Sequence, residues 1–177
     1  MRKWYVALLA CGIVLLGGCA NAPTPAGNDQ VLSLETIETS LQNRLPITRK
    51  ASFGTVRIVG MLLQAGMDEK SMEIPVKFVL TSYEIPEGIE GLIVFGGGLR
   101  YDSAGHILYP DALTPLRMTF ANPSLEEYIS ATARKGIADL VASTLRRMPL
   151  YTFPQSFSAR KVGRFTIRKE RLLIDFD

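Results

Sequence analysis

Histidine and cysteine are almost missing from this 177-residue chain: His106 is the one histidine, and Cys11 and Cys19 are the two cysteines. A multi-histidine metal site is thereby excluded, as is a Ser-His or Cys-His nucleophile with any redundancy. His106 follows Gly105 in a turn sequence, with no acid or nucleophile at a telling spacing, and reads as a solvated turn residue rather than a base. Among the carboxylates, Glu126 and Glu127 suit the start of a helix and Asp102 a turn, so paired acid-base chemistry has no obvious carriers. No Lys-Ser/Thr pair follows Gly96-Gly97-Gly98, which argues against a phosphate-cradling loop. The expectation is a protein without catalytic residues, metal or cofactor. Long apolar runs are also missing: the uncharged stretch Trp4 to Leu16 has thirteen residues, whereas a membrane-spanning helix needs about 20.

That stretch has another use. Arg2 and Lys3 precede it, giving the charged-then-apolar layout of a secretory signal. It ends in Leu16-Gly17-Gly18-Cys19, which resembles the lipobox of bacterial lipoproteins. The resemblance implies cleavage before Cys19, with lipid on its sulfur and on its new amino group. Leu8 to Cys11 resembles a second lipobox, but cutting there would leave a marginal apolar core. Ala20 stands where lipoproteins retained at the inner membrane usually carry Asp, so the implied address is the periplasmic face of the outer membrane, held by the Cys19 lipid anchor. The expected division is a signal over 1–18, acylated Cys19 and a flexible Pro- and Gly-containing tether over 19–30, and one domain over 31–177. Without Arg2 and Lys3 the charge is 18 basic against 17 acidic residues, or +1, which leaves no electrostatic footprint for nucleic acid. Six cations between Arg160 and Arg171 are the local exception. They read as the solvated face of a hairpin, with a contact to anionic lipid or glycan as the alternative.

Within the domain, Ser33 caps an expected first helix whose apolar face is Leu34, Ile37, Leu41 and Leu45, ended by Pro46. Ser52 to Phe120 reads as an antiparallel meander of strands, because its turn sequences are too short for parallel crossovers. Ile74, Val76, Phe78 and Leu80 alternate on one face of a strand, with Lys77, Thr81 and Tyr83 on the other. Ile89, Ile93, Phe95, Leu99 and Tyr101 share a face of the next, interrupted by the glycine triplet, which marks a bulge or coil. Ser124 and Glu127 form a capping box for one long helix running to Met148, about 36 Å at ~1.5 Å per residue. Gly163 to Ile167 and Leu172 to Phe176 close the chain as a hairpin. The order gives α+β without parallel units.

The lipobox, "LSLETIETSL", "LRYDSAGHILYPDA", the helix ending in "MPLYTF", and "VGRFTIRKERLLIDFD" together resemble the YceB-like family of bacterial lipoproteins, over nearly the whole chain. The resemblance implies a tubular lipid-binding fold, with a long C-terminal helix in the trough of a strongly curved antiparallel sheet and a short N-terminal helix. It supplies no catalytic residues. Along the expected helix, Ala131, Thr132, Ala133 and Gly136 are small, and glycine inside a helix costs about 0.8 to 1 kcal/mol against alanine. Close approach of helix to sheet is one explanation. Room for a lipid or fatty-acyl ligand is the other, lined by Ile74, Val76, Phe78, Leu80, Ile93, Phe95, Ala133, Gly136, Ile137 and Leu140. The competing function is a tethered envelope scaffold with a filled core that binds protein or peptidoglycan.

Overall fold

The computed structural model describes residues 30–66, 71–155, 162–168 and 170–176. The signal, Cys19, the tether as far as residue 29, and Arg160, Lys161 and Lys169 of the basic segment lie outside the described residues. Arg164, Arg168 and Arg171 are exposed. No helix among the described residues is long and apolar enough to cross a membrane.

The chain is mostly β. A seven-stranded antiparallel sheet is built from β2 (Ile47–Ala51), β3 (Gly54–Met61), β4 (Gln64–Ala65), β5 (Met72–Thr81), β6 (Ile89–Asp102), β7 (Ile107–Phe120) and β8 (Tyr151–Thr152). Its order is β2-β3-β5-β6-β7-β8, with β4 paired to β5. A three-stranded sheet joins β1 (Gln30–Ser33) to β10 (Arg171–Phe176) and β9 (Val162–Arg168). The closing hairpin expected from sequence forms, but it pairs with β1 rather than with the main sheet. The first helix, α1, spans Leu34–Gln42 and buries Leu34, Ile37 and Leu41 as their spacing requires.

Strand β5 has the alternation that one buried face demands: Met72, Ile74, Val76, Phe78 and Leu80 are at most 3% exposed, whereas Lys77 and Thr81 face water. Along β6 the pairing with β7 slips twice, between Val94 and Phe95 and between Gly96 and Gly98. The glycine triplet is thus part of a bulged segment. A Cβ on Gly97 would stand 2.6 Å from the Asp111 carbonyl oxygen of the neighbouring strand, so only glycine permits that approach.

The long C-terminal helix lying in a strongly curved sheet is not formed, and this corrects the expected fold class. Two helical pieces stand in its place, α2 (Pro123–Glu126) and α3 (Ala131–Leu145). At ~1.5 Å per residue, the 15 residues of α3 reach about 22 Å rather than 36. The cause lies in Glu127–Ser130. Ser130 Oγ accepts from the Ala133 N–H at 3.1 Å, capping a new helix six residues beyond the expected start. Arg134 then folds back, with Nε donating to the Ile129 carbonyl at 3.1 Å and Nη2 to the Glu126 carbonyl at 3.0 Å. Those carbonyls would serve the next turn of a continuous helix. An ion pair from Arg134 Nη1 to Glu126 Oε1 at 2.6 Å fixes the break. Ser124 does not act as a helix cap here; its own N–H donates to Asn122 Oδ1 at 3.0 Å.

Candidate functional site

Several clefts among the described residues bring together side chains from elements distant in sequence, two of them lined by tyrosines. The first lies where the far arm of β6 meets β9, has a volume of about 730 Å³, and is lined by Met72, Leu99, Tyr101, Val162, Phe165 and Ile167 around Gly98, with Arg100, Ser103 and Arg164 as its polar lining. Leu99 and Tyr101 follow the bulge on β6, and among the described residues no atom lies within 4 Å of where a Cβ on Gly98 would be. Tyr101 ties the cleft wall to the core, with ring centroids 5.8 Å from Phe153 and 6.3 Å from Phe165; Phe153 in turn meets Tyr151 at 4.9 Å. These separations lie in the range of favourable aromatic pairing.

The Tyr101 hydroxyl lies 3.0 Å from His106 Nδ1. Burial first, and then the neighbouring Asp102 carboxylate, push the Tyr101 phenol above its ordinary value. His106 sits in the β6–β7 turn at φ +53°, and its carbonyl accepts the Phe153 N–H at 2.8 Å. It is half-buried and joined to Tyr101 rather than a fully solvated turn residue.

The second cleft, about 550 Å³, opens at the start of α3 between the β2–β3 turn, the β5–β6 connection and the α2–α3 break. Phe53, Ile85, Ile129 and Ala133 line it, with Tyr83 and Tyr128 at its edge. Tyr128 lies in the break between α2 and α3 and is exposed.

The ligand-lining residues expected from sequence are brought together, but mainly as core. Ile74, Val76, Phe78, Ile93, Phe95 and Ile137 are fully buried, Leu80 is 3% exposed, and Leu140 is partly buried against them. Leu80 and Ala133 border the second cleft. Beside Gly136 the space holds a side chain: a Cβ there would meet the Phe53 ring at 2.7 Å. Small residues on α3 therefore admit Phe53, which is the close-approach explanation with its partner supplied by a turn. Sequence reasoning did not single out Gly98, Phe165, Phe53 or Tyr128 as cleft residues. The glycine triplet was the one usable signal for the first cleft, since glycine in a strand marks either a bulge or close backbone approach. No family model matches the chain, and no curated protein matches it.

Proposed function

We propose that this chain is a non-catalytic envelope lipoprotein, anchored through acylated Cys19 at the periplasmic face of the outer membrane, that holds an apolar ligand such as a fatty-acyl chain. The cleft between β6 and β9 is its site. The observation that carries this reading is the cleft at Gly98: about 730 Å³ walled by Leu99, Tyr101, Val162, Phe165 and Ile167, with Arg100 and Arg164 also on its lining, and no atom among the described residues within 4 Å of a Cβ on Gly98. The Leu16 to Cys19 sequence supports the anchor. The YceB-like resemblance supports the address alone, since the tubular architecture it implied is not the one observed.

Gly98→Leu tests the site. Gly98 lines the cleft, and no atom among the described residues lies within 4 Å of where its Cβ would stand, so a leucine there is expected to take ligand space without overpacking the core. Native mass spectrometry of the detergent-solubilised full chain should find a stoichiometric non-covalent apolar adduct on the parent. In Gly98→Leu the affinity for that adduct should fall at least about tenfold, equivalent to about 1.4 kcal/mol of binding, with the thermal midpoint little changed. Undiminished adduct in the variant would reject this cleft, and its absence from the parent would reject the apolar-ligand reading.

One observation favours a second reading, the tethered scaffold that binds protein or peptidoglycan. Phe53 occupies the space beside Gly136, so the helix-to-sheet interior there is packed rather than hollow. A packed interior leaves recognition to the surface.

A further inference from the structure

Tyr83 and Tyr128 are 97% and 70% exposed, the most exposed large apolar side chains among the described residues, and they flank the same cleft at the start of α3. Single exposed aromatics need no explanation, but two around one concavity do. Both are carried on braced backbone. Next to Tyr83, the Ile85 N–H donates to Ser82 Oγ and the Ser82 N–H to the Ile85 carbonyl, each at 3.2 Å, and Ile85 is buried. Beside Tyr128, Ile129 is buried, and Arg134 ties down the Glu126 and Ile129 carbonyls on either side. The rings are thus held out into water by turns whose own bonds are satisfied. Binding then has to order the torsions of each ring but not the backbone that carries it.

The chemistry of the cleft narrows the ligand. Lys50 and Glu84 place one charge of each sign on its rim, so it has no net field to select an anion or a cation. Ser52 and Thr55 add hydroxyls that both donate and accept, and Phe53 with Ile129 supplies an apolar floor. A neutral ring with polar edges and an aliphatic C–H face fits this combination: the face lies on a tyrosine ring, whose π surface is the negative side of its quadrupole, and the edges meet the hydroxyls. An acetamido methyl suits the floor.

We infer that the cleft between Tyr83 and Tyr128 binds a neutral glycan built of N-acetylated pyranose units. The inference rests on the scaffold reading and gives it a site; it is independent of the β6–β9 cleft. An anionic membrane is the other surface that exposed tyrosines suit, but it selects clusters of cations, which this rim does not have.

The test uses the full chain in a detergent without a sugar headgroup, titrated calorimetrically with chitotetraose and co-sedimented with purified murein sacculi. Both probes should bind the parent. Tyr83→Ala and Tyr128→Ala should each weaken chitotetraose binding at least about tenfold, the double variant should abolish it, and Tyr83→Phe should keep it because the ring face carries the contact. Both side chains are exposed, so unchanged thermal melts should accompany these losses. Sacculus binding that survives in the double variant overturns the site while leaving the scaffold reading standing. Binding of neither probe by the parent overturns the inference and, with it, the peptidoglycan form of the scaffold reading. Tyrosine-dependent binding to phosphatidylglycerol vesicles without glycan binding assigns the surface to a membrane and overturns the inference.

Discussion

Phe78→Ala is expected to destabilise the fold by about 3 to 5 kcal/mol, the range for emptying a large buried aromatic site. Phe78 is fully buried at the centre of β5. Its ring meets Phe120 edge-on at 5.8 Å and 83°, so truncation removes an aromatic pair as well as buried area. The ring also lies over Gly91, its register partner on β6, so closely that a Cβ on Gly91 would collide with it. With glycine on one side and the edge of Phe120 on another, few neighbouring atoms can move into the space left behind, and the cavity term stays large. Thr81→Ala, at the exposed end of the same strand, should fall within about 0.5 kcal/mol of the parent. Urea unfolding of the two variants reads the difference directly. Small, equal losses would mean that the buried face of β5 is the other one.

The face of β5 was legible because its period is two and a single face is buried, so every side chain testifies to the same register. The first helix was legible for the corresponding reason at spacings of three and four, through Leu34, Ile37 and Leu41. The continuous 124–148 helix was misread, since the apolar spacing runs across Glu127–Ser130 while the break is made by side chains. Two competing caps, Ser124 and Ser130, are both plausible in sequence. The ion pair and carbonyl bonds of Arg134 decide for the second, and they exist once the chain has already turned. Pairing of β1 with β10 joins residue 30 to residue 174, and no local pattern announces a partner that far away. At Gly136 the sequence held a true signal of close approach but not the identity of the occupant, because Phe53 belongs to a turn more than eighty residues earlier. Small residues in a helix say that something comes near, and the rest of the chain says what.

Replacement of Cys19 by alanine is expected to have the largest effect on behaviour and almost none on stability. Burying acyl chain in a bilayer contributes about 0.8 kcal/mol per CH₂, and one chain alone gives marginal, reversible attachment. Lipid on both the sulfur and the amino group of Cys19 would carry the protein well past that threshold, and alanine accepts neither. Without acylation, either the uncut precursor stays at the inner membrane through its Trp4 to Leu16 segment, or cleaved material leaves the membrane fraction. The fold has no reason to respond. Cys19 lies outside the described residues, and the ladder of β1, which begins at Gln30, is made with β10. Sucrose-gradient fractionation should therefore place the Cys19→Ala chain outside the outer-membrane band, and labelled palmitate should not enter it. Its urea midpoint should match that of the parent. Outer-membrane fractionation with normal label incorporation in this variant would sink the lipoprotein reading, whereas a lowered urea midpoint would show that residues before β1 contribute to the folded domain.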